Sequence, residues 1–182
     1  MNRWIILDRD GVINADSDAY IKSLDEWRPL PGAIDAMARL HRAGYRLAVI
    51  TNQSGLARGL FQRSDLDAMH RHLAELLAAR GARIDALYFC PHGPDDGCDC
   101  RKPAPGMFLR LAEEHGVDLG ATWALGDSYR DLQAAETAGA RPALVRTGKG
   151  ERTLAAHPDL AERVPVFTSL ADFADRLLEG GL

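Results

Sequence analysis

The 182-residue chain has only three cysteines, and all of them lie in one stretch, CPHGPDDGCDCRKP, from Cys90 to Pro103. That stretch contains no Cys-x-x-Cys, which argues against a dithiol redox centre. The chain also lacks an apolar run near the ~20 residues of a membrane span, an internal repeat and a low-complexity tract. It has no basic surplus: the formal net charge is −4. The electrostatic footprint of a nucleic-acid binder is therefore missing, and neither nucleic acid nor membrane is an expected partner. A mildly acidic chain that binds an anion must use local cations and backbone amides. The first residues, MNRWIILDRDG, carry an apolar patch cut short by Asp8, which does not read as an export signal. A cytoplasmic, reducing location is expected, where clustered thiols favour metal over disulfide. The length suits one domain over residues 1–182 with a full hydrophobic core, acting as a monomer.

What the chain does have is alternation. Trp4 to Leu7, Leu47 to Ile50, Ala86 to Phe89, Trp123 to Leu125, Ala143 to Val145 and Val164 to Phe167 read as short buried strands. Between them lie helical patterns: Ala33, Ile34, Met37 and Leu40, stopping at Gly44; Leu66, Met69, Leu73, Leu76 and Leu77; Phe108, Leu111 and His115; Leu132 to Ala138, closed by Gly139; and Leu170, Phe173 and Leu177. A capping-box-like Ser64-x-x-Asp opens the second of these. Strand-helix alternation predicts an α/β fold, a parallel sheet covered on both faces. In such sheets ligands bind at the carboxyl ends of the strands. The polar residues that follow the strands should therefore share one site.

Asp8 and Asp10 end the first strand in LDRDG, and Asp127 and Asp131 follow the fourth in GDSYRD. Two carboxylates on one side of a strand tip repel unless a cation sits between them or one keeps its proton. An oxygen-rich cluster of this kind suits Mg²⁺, which keeps waters and shares its shell with a substrate phosphate. A single strand-end aspartate is as readily a helix cap or turn former, but four at consistent strand ends point to a site. TNQSGLARG, from Thr51 to Gly59, offers the Thr51 hydroxyl and a turn at Asn52, Gln53, Ser54 and Gly55 that can aim backbone amides inward. Lys102 can neutralise a phosphoryl oxygen, and Arg101 can make a bidentate pair with a second anionic group.

Cys90-x-His92, five residues, then Cys98-x-Cys100 supply three thiolates and one imidazole, a closed tetrahedral set for structural Zn²⁺. A catalytic zinc would keep one position open. The expected purpose is to hold Lys102, and Arg101 with it, rigidly over the carboxylates, since pre-placed charge is worth more than mobile charge.

Asp8-Arg-Asp10-Gly, Thr51, Lys102 and Gly126-Asp127 with Asp131 resemble the four motifs of the haloacid dehalogenase-like (HAD) phosphatases, and the resemblance covers nearly the whole chain. It implies a Rossmann-like core without a large cap domain and a phosphoric monoester hydrolase. In that reading Asp8 is the nucleophile that forms an aspartyl-phosphate. Asp10 is the general acid and base. Asp8, the Asp10 carbonyl and Asp127 bind Mg²⁺. Thr51 and Lys102 hold the transferring phosphoryl group, and Asp131 orients Lys102 or metal-bound water. Within the family, the zinc loop followed by Arg-Lys-Pro resembles two branches. TNQSGLARG and VRTGKG (Val145 to Gly150) point to the one acting on a heptose bisphosphate, in precursor synthesis for lipopolysaccharide, whose second phosphate would meet Arg101. The short His92–Cys98 spacing is shared with the branch acting on histidinol phosphate, which stays the alternative. Ser128 stands where some heptose enzymes carry lysine. Substrate selection would fall to Asn14 to Pro29, Ser54 to Gln62 and the zinc loop, with Asp16, Asp18 and Tyr20 near sugar hydroxyls. A reading of another class, a non-catalytic zinc-loop interaction module, leaves Asp10 beside Asp8 without a use.

Overall fold

The computed structural model describes residues 3–182. Six strands form one sheet: β1 (Trp4–Leu7), β2 (Arg46–Asn52), β3 (Ala86–Cys90), β4 (Trp123–Gly126), β5 (Arg141–Val145) and β6 (Val166–Phe167). Their spatial order is β3-β2-β1-β4-β5-β6, and every pairing is parallel. Among the described residues seven α-helices connect and cover them: α1 (Ala33–Arg42), α2 (Arg63–Ala78), α3 (Gly106–His115), α4 (Tyr129–Ala138), α5 (Gly150–Ala156), α6 (Leu160–Arg163) and α7 (Leu170–Leu178).

The strand period of two sorts the core into two layers. Ile5, Leu7, Leu47, Val49, Trp123 and Leu125 point to one face, against α1, α2 and α7 through Met37, Leu40, Leu73 and Phe173. Trp4, Ile6, Ala48, Ile50 and Ala124 point to the other, against α3 and α4 through Phe108, Leu111, Ala134 and Ala135. Both faces of the sheet are thus buried, which explains why the strands read as unbroken apolar runs rather than alternating ones.

Strand order reverses between β1 and β4, so the loops leaving these neighbours turn in opposite directions and open a crevice at their carboxyl ends. Between β1 and α1 the chain adds only a loop with one short 3-10 turn, Leu24–Glu26, and no cap module. Three local expectations are corrected. β2 runs on through Thr51 and Asn52, which pair with Phe89 and Cys90 of β3. The sixth strand is shorter than its apolar run, because Val164 N–H closes α6 on the Leu160 carbonyl (2.9 Å). Helix α2 is capped two residues earlier than expected: Gln62, not Ser64, is its N-cap, and Gln62 N–H donates to Asp65 Oδ2 at 2.8 Å. The sequence pattern also gave no sign of α5, a short helix that starts on a glycine.

Phe173 is fully buried and meets both Phe167 (5.2 Å) and Trp123 (6.1 Å) edge-to-face. Phe173→Ala should cost about 3–5 kcal/mol of folding stability, read by urea unfolding; a change under about 1 kcal/mol would mean that α7 is not part of the cooperative core.

Candidate active site

The β1–β4 crevice collects the strand-end acids. Leu7 and Leu125 are in register, and Asp8 N–H donates to the Leu125 carbonyl at 2.9 Å. Asp8 and Asp127 therefore leave adjacent strands side by side. With Asp131 from the first turn of α4, each offers a carboxylate oxygen, all within 4.8 Å of one another. They line a cleft of about 300 Å³ that also takes in Asp10, Thr51, Ser54, Arg101 and Lys102. Close backbone approach makes this possible. Gly11 (φ +86°) and Gly148 (φ +59°) both abut the Asp127 carboxylate, and a Cβ on either would overlap Asp127 Oδ2.

Two buried cations serve three of the acids. Lys102, 2 % exposed, donates to Asp131 Oδ1 (2.8 Å), to Asp8 Oδ1 (3.0 Å) and to the Ile50 carbonyl (2.8 Å). Its main chain is clamped at two points by Asn52: Nδ2 donates to the Lys102 carbonyl and Lys102 N–H donates to Oδ1, both at 3.0 Å. Asp10 is met by Arg9, a fully buried arginine whose Nε and Nη2 fork onto it at 2.8–3.1 Å. Asn14 Nδ2 and Gln53 Nε2 also donate to Asp10, both at 2.8 Å, and Gln53 bridges on to Thr51 Oγ1 at 3.0 Å. So the repulsion expected between Asp8 and Asp10 is resolved by one cation apiece, Lys102 and Arg9.

β3 delivers Cys90 to the neighbouring loop. Cys90, His92, Cys98 and Cys100 bring Sγ and Nδ1 atoms together at 3.1–3.7 Å. Four ligands at Zn–S bond length around one ion would stand about 3.7 Å apart. The set fits Zn²⁺ and leaves no open position. Arg101 Nη1 donates to the His92 carbonyl at 3.2 Å, tying this loop to the cleft wall.

A family model described as polynucleotide kinase 3 phosphatase matches residues 5–124, and one described as HAD-hydrolase-like matches residues 99–173. The chain is 54 % identical over 175 residues to the D-glycero-beta-D-manno-heptose-1,7-bisphosphate 7-phosphatase of Pseudomonas aeruginosa, covering 96 % of this chain and 97 % of that one. It is also 54 % identical to the protein of the same name from Bordetella bronchiseptica, over 97 % and 98 % of the two chains. The crystal structure of D,D-heptose 1,7-bisphosphate phosphatase from B. bronchiseptica, complexed with magnesium and phosphate, matches with a TM-score of 0.94 at 53 % identity, covering 98 % of this chain and 99 % of that one. The chain belongs to the HAD-like phosphatases.

The electrostatics of this HAD-like phosphatase divide its acids into two pairs. Burial pushes Asp8 up to about 7, against the pull of Lys102. Burial, then the charges of Asp131 and Asp8, push Asp127 up to about 9. For Asp10, burial acts upward, but Arg9, Asn14 and Gln53 outweigh it and hold the carboxyl below its usual range. For Asp131, burial likewise acts upward and is outweighed by Lys102 and the Ser128 hydrogen bonds. Asp8 and Asp127 are thus the under-compensated pair, and a hard divalent cation such as Mg²⁺ fits between them. Asp131 is spent on Lys102 and on Ser128, whose N–H and Oγ donate to it at 3.0 and 2.7 Å. The Asp10 side chain is spent too and lies outside the three-acid group. Its expected metal contact rests on its main-chain carbonyl alone.

Several residues expected at the substrate line the cleft and also have protein partners. Asn52 and Gln53 line the cleft, yet their amides serve Lys102, Asp10 and Thr51. Ser128 is the N-cap of α4. Asp16 faces Lys149 Nζ at 2.8 Å, and Asp18 pairs with Arg152 at 2.9 Å. Tyr20 lines the cleft in a left-handed backbone conformation (φ +67°) with the Arg58 guanidinium over its ring at 5.9 Å. Sequence reasoning missed Arg9 and Lys149, whose main-chain N–H donates to Asp127 Oδ2 at 2.8 Å. The available signals were the arginine's place between two aspartates and the lysine's place in VRTGKG.

Asp8 and Asp127, with folded pKa values above the ordinary 3.8, bind protons more tightly in the fold than in the unfolded chain. Their contribution to the stability of the Mg²⁺-free protein should therefore fall as pH rises from about 4 through the folded values near 7 and 9. Asp10 and Asp131, shifted the other way, add a loss only below the ordinary carboxylate range. Melting in Mg²⁺-free buffer should be higher at about pH 6 than at about pH 8.5, and added Mg²⁺ should raise it more at the higher pH. A Mg²⁺-free melting temperature that climbs with pH over this range would remove the account. Separately, Cys98→Ala should lose the bound zinc by metal analysis and expose residues 91–101 to protease while the sheet stays folded; retained stoichiometric zinc would reject the four-ligand set.

Proposed function

We infer that the chain is a Mg²⁺-dependent phosphatase that removes the 7-phosphate of D-glycero-D-manno-heptose 1,7-bisphosphate, on the β anomer, as the names of its relatives state. The under-compensated acids Asp8 and Asp127, beside a buried lysine, carry the chemical half of this reading. Similarity along 96 % of the chain to heptose bisphosphate phosphatases carries the substrate. The product would feed the supply of heptose for lipopolysaccharide.

Phosphoryl transfer is mostly positioning and charge neutralisation. Bound Mg²⁺, held by Asp8, Asp127 and the Asp10 main chain, supplies charge neutralisation at the phosphoryl oxygens. A carboxylate oxygen of Asp8 attacks phosphorus, the bond to the C7 oxygen breaks, and Asp10 gives that oxygen a proton. Asp10, which its donors hold as an anion in the free site, takes that proton from solvent or from the phosphate monoanion as the substrate binds, because the arriving negative charge raises its proton affinity. Asp10 then takes a proton from water as that water attacks phosphorus, releasing inorganic phosphate and restoring Asp8. Lys102 and Thr51 steady the transferring group, Asp131 fixes Lys102, and Arg101 awaits the phosphate on carbon 1. Residues 1–182 act as one catalytic unit whose zinc loop holds the Arg101–Lys102 wall. The short His92–Cys98 spacing stands in a chain that otherwise follows the heptose enzymes from end to end, and this favours the heptose bisphosphate over histidinol phosphate.

Asp8→Asn should lower kcat by at least about 10³-fold without loss of zinc or fold. In side-by-side assays the heptose bisphosphate should be hydrolysed with a kcat/KM at least about tenfold above histidinol phosphate; a preference for the amine would reverse the substrate assignment.

A further inference from the structure

His70, on α2, stands outside the cleft at the far end of the Arg9 fork. Arg9 Nη1, the terminal nitrogen that Asp10 does not engage, has His70 Nε2 at 3.4 Å. A guanidinium can only donate, so Nε2 accepts, and the proton of the ring lies on Nδ1. Burial, then the Arg9 charge, depresses His70 to about 4, which keeps the ring neutral and able to accept. Phe89 packs beside the ring at 6.2 Å.

The pattern of donors on Asp10 is uneven. Oδ1 accepts from Arg9 Nε, Arg9 Nη2 and Asn14 Nδ2, while Oδ2 accepts from Arg9 Nη2 and from Gln53 Nε2, which also holds Thr51. Oδ1 carries three donors and Oδ2 two, and Oδ2 is the oxygen on the Thr51 side, held there by Gln53 Nε2 and by the longer of the two Arg9 Nη2 contacts. Because the guanidinium is rigid and planar, anything that turns Nη1 also turns the two nitrogens gripping Asp10.

We propose that His70 is a positioning residue for phosphoryl transfer, which through Arg9 fixes the Asp10 carboxylate with Oδ2 toward the reacting oxygens. The inference rests on the assignment of Asp10 as proton donor and acceptor. Removing the acceptor leaves a buried N–H without a partner, a cost the arginine can relieve only by moving. The fork then no longer holds Asp10 in one orientation.

The test compares His70→Leu with His70→Gln, whose side-chain oxygen can take the place of Nε2. Single-turnover release of the leaving group is followed with the heptose bisphosphate and with p-nitrophenyl phosphate. The aryl phosphate expels a stable phenolate and needs little protonation, so a misdirected Asp10 should hardly slow it. His70→Leu is expected to slow release from the heptose bisphosphate about tenfold with KM little changed, and release from the aryl ester less than about twofold. His70→Gln should restore most of the rate. Equal loss on both substrates, no loss in His70→Leu, or no recovery in His70→Gln would each overturn the proposal. If His70→Leu does not fold, His70→Met gives the same comparison. Failure of the unmodified protein to turn over the heptose bisphosphate would strike the functional reading instead, because the proposal concerns ratios between variants.

Discussion

The ammonium of Lys102 is the charge around which this sheet edge is organised. It is buried, and it holds Asp8 and Asp131 at hydrogen-bond distance. A cation taken out of water survives only with close, well-placed counter-charges. Those counter-charges in turn are acids that burial would otherwise protonate. Arg9 does the same for Asp10. Four carboxylates, Asp8, Asp10, Asp127 and Asp131, thus face two cations, which leaves two negative charges. The surplus settles on Asp8 and Asp127, whose protons are held to about 7 and 9. A divalent cation matches that surplus in charge, and the oxygen ligands match Mg²⁺ in hardness. The requirement for metal is therefore a property of the folded charge balance.

Holding that balance takes three neighbouring strands. β1 brings Asp8, β4 brings Asp127, and β2 brings both Thr51 and the Asn52 clamp on Lys102. The clamp qualifies the idea that the cysteine loop alone fixes Lys102. Asn52 grips the main chain, and the Ile50 carbonyl accepts from the ammonium itself. Both anchors lie on β2, in the interior of the sheet, where the backbone is least free to move. The cysteine loop governs the next residue out, Arg101, through the His92 carbonyl.

Much of this was legible in the sequence. Six apolar runs with polar termini are enough to predict a parallel sheet and to gather Asp8, Asp127, Thr51 and Lys102 at one end. Strand order is not, because every parallel arrangement buries the same runs. The capping error at Ser64 has a similar origin: Ser64 and Gln62 both have an aspartate three residues on, and only the backbone decides which serves. Arg9 escaped because a charged residue defaults to the surface, and its place between two aspartates in LDRDG is a signal that a solvated arginine would show equally. The inward turn of Asn52 and Gln53 is likewise a tertiary fact. Both were rightly placed at the cleft, yet their amides meet partners 43 and 50 residues away in sequence.

The two candidate metal sites differ in ligand chemistry. Residues 91–101 carry too little apolar surface to be held down by burial, and β3 is an edge strand, so this wall cannot be fixed by a core. Thiolates and imidazole supply the missing constraint with a borderline-soft ion whose coordination they close completely. The crevice between β1 and β4 presents only oxygen, and with Asp10 and Asp131 already spent on Arg9 and Lys102 it presents few of them. A site with two under-compensated carboxylates would keep most positions for water and phosphate, which suits an ion that dehydrates reluctantly. Zinc is drawn instead to the four-ligand cluster, where softer donors are complete. The buried cations thus do more than cancel charge. By engaging Asp10 and Asp131 fully and Asp8 in part, they leave Asp8 and Asp127 as a pair at which Mg²⁺ could bind and still share its shell with a substrate.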